Sequence, residues 1–333
     1  MPVDRRFFTK HPDQTLAQLA ALCGAEIVQG RGETIIAEPA PASRAGAGDI
    51  AFYDKQAKSV DSISSQAGCC IVTSDIAEVL SDAPMAVMVH DHPRWAHSRV
   101  SKALFSMKTW HSPGTPAEMD ACARIHPSAT VCKGARIGAD TDIGPGCYIG
   151  PGVEIGAGCR IGANVTIECA LIGDHVTLLA GVHIGQSGFG VVVGPDGPED
   201  IPHWGRVILG DHVSIGAGSC VDRGAFEDTC IGARTKIDNL CQIAHNVVLG
   251  ENVRIASFTG ISGSCTVGNN TVMGGGVGIA DHKSVGNNVQ LLARSGLMHN
   301  VPDGERWGGF PARPSRQFFR ETAWLQKQAR KKS

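Results

Sequence analysis

The segment KIDNLCQIAHN, residues 236–246, combines the side chains of an acid–base site with the spacing of short β-strands. It places Asp238, Asn239 and His245 among aliphatic residues that are six positions apart. An imidazole titrates near neutral pH and can remove a proton from a nucleophile. A carboxylate bound to one ring nitrogen fixes the tautomer and makes the other nitrogen more basic. The segment therefore predicts a general base, His245, that is supported by Asp238.

These side chains belong to a six-residue repeat that begins at Ile125. Its longest unbroken run has eleven aliphatic matches, from Ile231 to Leu291. A period of six fits neither a helix nor a single strand, but it fits a coil of three short strands, each with one inward aliphatic. A β-sandwich would show variable spacing and more aromatic residues than 5%. The repeat predicts a mainly β fold, a hexapeptide parallel β-helix with 18 residues in each turn.

The turn length predicts which residues stack. Gly263 is 18 residues after His245, and His282 is 37 residues after it. We expect the three to form one strip of roughly 10 Å, because stacked strands are about 4.8 Å apart. A base beside a main-chain N–H has the parts for acyl transfer, since the N–H can bind the developing oxyanion. Gly263 is the predicted donor of that N–H.

Other interpretations of the histidines remain open at this level. An isolated histidine in a solenoid is more often a surface or hydrogen-bonded structural residue than a catalyst. Surface or loop positions are expected for five of them: His175, His183, His203, His212 and His299. A zinc site between subunits would need a closely spaced pair, and the spacings of eight and nine residues among these histidines do not provide one. No metal site is predicted.

Composition narrows the classes of function. The 333-residue chain has a net charge of −2, which gives no general attraction for nucleic acid or membrane surfaces. It contains no run of 18 apolar residues, and its first residues lack the apolar core of a secretory signal. Its 12 cysteines form no CxxC pair, which favours reduced, packed thiols. These features predict a cytoplasmic protein without an integral membrane segment.

The chain divides into three predicted parts. Residues 1–115 lack the repeat and are typical of a small α/β domain, with a helix at 16–24, strands at 49–53, 69–73 and 85–89, and a helix at 94–107. Residues 116–300 form the predicted solenoid, and a Gly- and Pro-rich loop, 186–206, is extruded from it. Residues 301–333 are predicted to form a basic, helical C-terminal extension.

A set of motifs on the repeat resembles the bacterial UDP-3-O-acylglucosamine N-acyltransferases of lipid A synthesis. The motifs are DRGA, KIDN, QIAHN, GISGS and GFPARP, in this order. The resemblance implies a uridine-recognising N-terminal domain, a left-handed β-helix, and a homotrimer with active sites between subunits. It also implies transfer of a 3-hydroxyacyl chain to the 2-amine of a UDP-sugar. The implied donor is carried on the phosphopantetheine of acyl carrier protein, and no bound cofactor is implied.

The same resemblance implies roles for individual residues. It makes His245 the general base with Asp238 as its support and Gly263 as the oxyanion donor. It places Asn239 and His282 beside the substrate. Relatives usually have glycine before the second histidine, whereas this chain has Asp281.

The uracil-contact region of the family reads IAFYDKQAK in this chain. Phe52 is therefore the expected ring contact and Tyr53 a second one, although both also fit the core of a strand. Lys55 and Lys58 stand where the family has asparagine and tyrosine, or one residue is deleted there.

The basic C-terminal segment suggests a docking face for the acidic carrier protein. Its predicted contacts are Arg313, Arg316 and Arg320, although by default such a basic run is interpreted as a solvated helix face.

Three other functions compete: an O-acyltransferase acting on UDP-N-acetylglucosamine, an acetyl-CoA-dependent sugar acetyltransferase, and a non-enzymatic β-helix. The last would lack both the Asp/Asn/His strip and the extruded loop.

Overall fold

The fold is given by a computed structural model that describes residues 2–54, 60, 62–309 and 315–330. Most of the chain is a stack of short parallel strands in three sheets, which enclose one apolar interior. Each strand in the regular part pairs with the strand 18 residues further along, as Lys236–Ile237 does with Arg254–Ile255. The predicted mainly β fold, a parallel β-solenoid of hexapeptide repeats, is confirmed.

Within the described residues, the three solenoid sheets contain nine, ten and nine strands. The first sheet has Glu118–Met119, Arg136–Ile137, Glu154–Ile155, Ala170–Ile172, Val207–Leu209, Thr229–Ile231, Val248–Leu249, Thr266–Val267 and Ser284–Val285. The second has Arg124–Ile125, Asp142–Ile143, Arg160–Ile161, Thr177–Leu178, Ser214–Ile215, Lys236–Ile237, Arg254–Ile255, Val272–Met273, Gln290–Leu291 and Arg306–Trp307. The third has Thr130–Val131, Tyr148–Ile149, Thr166–Ile167, His183–Ser187, Cys220–Arg223, Gln242–Ile243, Gly260–Ile261, Gly278–Ile279 and Gly296–Leu297.

The corners between these sheets are built by polar side chains as well as by backbone turns. The side-chain oxygen of Asn239 accepts a hydrogen bond from the N–H of Ala217 on the preceding turn, at 2.7 Å. Asn269 accepts from Glu251 in the same way, at 2.8 Å. These bonds satisfy corner N–H groups that the strand ladders leave unpaired.

The N-terminal residues form a separate sheet with helices on it. The sheet has five strands in the order Glu26–Gln29, Ala86–Val89, Cys69–Val72, Asp49–Phe52 and Glu38–Pro39. The helices are α1 (Leu16–Cys23), α2 (Ser74–Val79) and α3 (Pro93–Leu104), and a 3-10 turn covers Ala42–Arg44. Two short antiparallel pairs join Phe8–Lys10 to Phe105–Met107 and Gln14–Thr15 to Ile35–Ile36. The predicted α/β elements are confirmed, except that residues 105–107 are a strand rather than the end of α3.

Charged and aromatic contacts attach this region to the solenoid. The guanidinium of Arg206 binds Asp228 at 2.7 Å and Asp4 at 2.9 Å, and all three side chains are largely buried. The rings of Phe8 and Trp204 meet edge to face, with centroids 5.2 Å apart. Buried, paired charges of this kind are costly to break, because one partner would be left unpaired.

The extruded loop contains a β-hairpin, Val191–Gly194 paired with Gly197–Asp200. The hairpin packs on α3: the indole N–H of Trp95 donates to Glu199 at 2.8 Å, and the ammonium of Lys102 donates to the carbonyl of Asp200 at 2.7 Å. The insertion is therefore tied to the N-terminal region.

The solenoid continues beyond its predicted end at residue 300. Val301 bridges to Val285, and Arg306–Trp307 pairs with Gln290–Leu291. The predicted C-terminal helix is present as α4, Ser315–Arg330. None of the helices among the described residues is long and apolar enough to cross a membrane. Each of the cysteines in the described residues is a free thiol.

Candidate active site

The ring of His245 lies over Gly263 on the next turn of the solenoid. A Cβ placed on Gly263 would be 2.6 Å from Cε1 and 2.7 Å from Nε2 of His245. The next turn brings His282, whose N–H donates to the carbonyl of Gly263 at 3.0 Å. The structure thus brings His245, Gly263 and His282 together on three consecutive turns.

The N–H of Gly263 lacks the side-chain cap that the N–H groups of Ala217 and Glu251 have. Gly263 holds the corner position that Ala217 and Glu251 hold in their turns, but no hydrogen bond from its N–H occurs within the described part of the chain. The residue one turn later is Asp281, which lines the same cavity without capping this N–H. An available N–H beside an imidazole can stabilise a developing oxyanion.

The tautomer of His245 follows from its neighbour Asn246. The Oδ1 atom of Asn246 accepts the N–H of Ala225 at 3.0 Å and lies 3.1 Å from Nδ1 of His245. The Nδ2 atom of Asn246 donates to the carbonyl of Glu227 at 3.0 Å, which fixes the orientation of the amide. Because Oδ1 can only accept, Nδ1 of His245 carries the proton, and the lone pair is on Nε2, towards Gly263.

Asp238 does not support His245 within one chain, so that predicted contact is wrong. Asp238 is exposed, and its Oδ2 accepts a hydrogen bond from the hydroxyl of Ser257 at 2.8 Å, which lowers the pKa of the carboxyl. The physical reason is the triangular cross-section. Seven residues carry the chain past a whole strand, so Asp238 and His245 lie at different corners. Asn239 lies at the corner of Asp238, where it caps Ala217.

A buried carboxylate that sequence reasoning missed lies beside this strip. Asp222 accepts hydrogen bonds from Gln186 at 3.0 Å and from Gln242 at 2.8 Å. Burial raises the pKa of Asp222, and the hydrogen bonds from the two amides and the charge of Arg223 oppose that shift. Asp222 belongs to the DRGA motif. The sequence feature that could have identified it is a charged residue that continues a buried strand.

His203 is also part of the site: it lies in the extruded loop, as one of its two predicted positions had it, but it is buried rather than on the surface. Its ring is buried and meets the ring of His245 edge to face, with centroids 5.3 Å apart. Burial lowers the pKa of His203 to about 4, so the ring is neutral at pH 7. The extruded loop folds back over the solenoid at His203. This position could not be predicted from the sequence, because the loop has no repeat that would fix its path.

A cavity of about 1190 Å³ runs along the strip. Three glycines on its wall, Gly260, Gly278 and Gly296, stack on successive turns, and a Cβ on any of them would meet nothing within 4 Å. Met298, which follows the strand Gly296–Leu297, lines the same cavity as His245. No side chain of these three glycines projects from the wall to obstruct an extended chain.

Comparison with known proteins now decides the family. The family described as bacterial transferase hexapeptide (six repeats) matches residues 134–169 and 228–263. A protein of Caulobacter sp. (strain K31) named UDP-3-O-acylglucosamine N-acyltransferase is 42% identical over 333 residues, which is 98% of this chain and 97% of that protein. The chain belongs to the UDP-3-O-acylglucosamine N-acyltransferase family. The prediction that it is an acyltransferase is confirmed.

Two further known proteins are similar to this acyltransferase, one in sequence and one with a solved structure. A protein of the same name from Caulobacter vibrioides (strain NA1000 / CB15N) is 42% identical, over 98% of this chain and 97% of that one. A solved UDP-N-acetylglucosamine acyltransferase from Campylobacter jejuni is 27% identical, with a TM-score of 0.48, over 54% of this chain and 68% of that one.

A second cavity of this acyltransferase, about 480 Å³, lies between the N-terminal region and the solenoid. Phe52 and Tyr53 both line it, although Tyr53 is also buried in the core as the alternative interpretation expected. The buried ring of His97 contacts Phe52, with centroids 5.1 Å apart. Arg94 and His282 line both cavities, so the two are adjacent. Lys55 and Lys58 lie outside the described residues.

The remaining predicted residues lie on or near the C-terminal helix. Arg316 and Arg320 are exposed on α4, whereas Arg313 is outside the described residues. Within the described ranges, no group of three or more His, Cys, Asp and Glu residues is arranged to hold a metal ion.

Proposed function

We propose that this protein transfers a 3-hydroxyacyl chain from acyl carrier protein to the 2-amine of UDP-3-O-acyl-glucosamine, a step of lipid A synthesis in the cytoplasm. The acceptor comes from the names of its relatives. The observation that carries the mechanism is that Nε2 of His245, which holds the lone pair, lies beside Gly263, whose N–H has no partner among the described residues, on the wall of a long cavity.

The reaction uses these two groups in sequence. The amine attacks the thioester carbonyl while Nε2 of His245 takes the amine proton. The N–H of Gly263 donates to the oxygen that becomes negative in the tetrahedral intermediate. The carbon–sulfur bond then breaks, and the imidazolium returns the proton to the phosphopantetheine thiolate. The products are an amide and a thiol, and a base of this kind contributes a factor of about 10²–10⁴ in rate.

The glycine-walled cavity is the proposed site for the acyl chain. Its wall from Gly260 to Gly296 covers two turn spacings, roughly 10 Å at the spacing of stacked strands. A straight apolar chain fits along such a wall because no side chain projects from it. Met298, which lines the same cavity, is the proposed stop that limits chain length.

The second cavity is the proposed site for the UDP moiety. The ring of Phe52 is half-buried at its wall and offers an aromatic face to a base. Arg94 lies between the two cavities, where a guanidinium can bind the diphosphate. The sugar would then bridge from this cavity to His245, with His282 beside it.

A homotrimer with sites between subunits accounts for the position of Asp238. The corner that holds Asp238 and Asn239 also carries Leu240 and Phe258, which are 54% and 69% exposed. Leu240 and Phe258 lie one turn apart and form an apolar edge, which favours contact with a second copy of the chain. In the proposed trimer, Asp238 of the partner subunit reaches the site of His245.

A turnover assay with UDP-3-O-acyl-glucosamine and 3-hydroxyacyl-acyl carrier protein tests the proposal. We expect amide formation by the wild-type protein and a loss of about 10²–10⁴-fold in His245→Ala, with the oligomer intact. UDP-N-acetylglucosamine as acceptor and acetyl-CoA as donor should be poor substrates. Near-normal turnover in His245→Ala would contradict the assignment of the base.

A further inference from the structure

The side chain of His203 combines deep burial with an unsatisfied ring nitrogen. It is 1% exposed, and its Nε2 has no hydrogen-bond partner among the described residues. Its Nδ1 lies 3.1 Å from the hydroxyl of Ser187. A buried polar atom without a partner destabilises the fold, so a ring held in this way calls for an explanation.

The surrounding residues hold this ring in place rather than letting it turn to solvent. The buried guanidinium of Arg223 donates to the carbonyl of His203 at 2.9 Å and to the carbonyl of Gly185 at 2.9 Å. The ring of His245 packs against one side of the ring of His203. The backbone of His203 is thus fixed to the solenoid, although it belongs to the extruded loop.

Two glycines keep the space beside Nε2 open. A Cβ on Gly188 would be 3.1 Å from Nε2 of His203 and 2.9 Å from Cβ of His245. A Cβ on Gly190 would be 2.7 Å from Cε1 of His203. These residues line the large cavity together with both histidines. The side chain of His203 therefore borders the space in which the acyl-transfer chemistry is proposed.

We propose that Nε2 of His203 is a binding group of this cavity that forms a hydrogen bond with a hydroxyl or an amine of the substrate. This inference rests on the proposed function. Both groups donate and accept, so either tautomer of the neutral ring can bind them. The two sources within the proposed substrates are the 3-hydroxyl of the acyl chain and the 2-amine of the sugar. The contact would position substrate next to His245 without removing a proton.

The experiment compares His203→Leu and His203→Gln with the wild type. Gln can donate and accept a hydrogen bond, whereas Leu fills the space with apolar atoms. His183→Leu is the control, because His183 is a hydrogen-bonded histidine of the same strand as Ser187 that does not line the cavity. Each protein is assayed with a 3-hydroxyacyl donor and with the acyl donor of equal length that lacks the hydroxyl.

A contact with the hydroxyl predicts a loss of about tenfold in kcat/KM for His203→Leu with the hydroxylated donor only. A contact with the amine predicts an equal loss with both donors and a higher KM for the UDP-sugar. In either case His203→Gln should recover most of the loss. Wild-type kinetics in His203→Leu, or equal impairment of Leu and Gln variants, would overturn the role of His203 alone. An inactive wild-type protein would overturn the proposed function, and this role with it.

Discussion

Nε2 of His245 faces the backbone of Gly263 so closely that a side chain on Gly263 would overlap the ring. The virtual Cβ at this position comes within 2.7 Å of Nε2, a distance that real Cβ atoms do not adopt. Glycine is therefore required here for the ring position, independently of its own backbone conformation, which is not left-handed. Because they are so close, the base, Nε2 of His245, and the proposed oxyanion donor, the N–H of Gly263, can act on neighbouring atoms of the same reacting centre.

Gly263→Ala should reduce kcat while the solenoid stays folded. The new methyl group would push the ring of His245 out of place, and a displacement of about 1 Å can cost about 10²-fold in rate. Steady-state kinetics together with circular dichroism would measure both effects. Gly48→Ala is the matched control, since its Cβ would make only an ordinary contact, 4.0 Å from Ala37. A Gly263→Ala variant with wild-type kcat would contradict the proposed arrangement.

The six-residue period was sufficient to predict the stacking of His245, Gly263 and His282. Residues 18 apart must lie on the same wall when each turn has three equal strands, so the placement follows from counting. Counting also shows why Asp238 was misplaced. A carboxylate one strand away lies at another corner. There Asp238 accepts a hydrogen bond from Ser257, a partner that the repeat alone does not predict.

His203 and Asp222 could not be placed by the same reasoning. Both lie where the period is interrupted, so their positions depend on long-range contacts such as those of Arg223 and Gln242. The N-terminal elements were easier to predict, because apolar runs bounded by turn residues fix short strands locally. The predicted end of the solenoid at residue 300 was too early, because the final turn, which ends at Trp307, lacks the usual six-residue spacing.

Mixing two inactive variants should restore activity if the site is shared between subunits. His245→Ala and Asp238→Ala trimers should each be nearly inactive. Trimers that are refolded from an equal mixture contain some sites with both native residues, about one quarter of the total for a closed ring with one site per interface. Turnover of the mixture, compared with each variant refolded alone, measures the recovery. Absence of recovery would contradict a contribution of Asp238 across the interface.

Gly278→Leu should shorten the acyl chain that the enzyme prefers. The isobutyl group would project into the glycine-walled cavity, where the structure has nothing within 4 Å of a Cβ. Gly296→Leu, one turn of about 4.8 Å further from His245, should exclude only longer chains. Values of kcat/KM for a series of acyl chain lengths would compare the two. Equal preferences in both variants would show that the chain does not follow this wall.

Stability should decrease in acid because of buried histidines. Burial lowers the pKa of His97 to about 4, although its Nε2 hydrogen bond to the carbonyl of Ile50, 3.1 Å long, opposes the shift. Above pH 6.5 neither the folded nor the unfolded chain protonates this group. Below it, only the unfolded chain binds the proton, so the free energy of unfolding falls until about pH 4, by about 3 kcal/mol.

His97→Gln should make this decline shallower, since the amide can still donate to Ile50 but does not titrate. Denaturant unfolding between pH 4 and 7 would measure the slope. The control is His212→Gln, the same substitution at an exposed histidine of a solenoid corner. Parallel slopes for wild type and His97→Gln would refute the buried, neutral state of His97.

Reversing the charge of α4 should weaken the use of the carrier protein without affecting chemistry. Arg316 and Arg320 are exposed and four residues apart, so they lie on one face of the helix. The double variant Arg316→Glu and Arg320→Glu should raise the KM for acyl-acyl carrier protein about tenfold and reduce its dependence on salt, because complementary charge mainly steers association. Turnover of a small acyl-pantetheine donor should remain unchanged. Arg31→Glu, at an exposed arginine of the N-terminal region, is the control for a single charge reversal away from α4. An equal rise in KM for both donors would place these arginines at the substrate cavity rather than at a docking face.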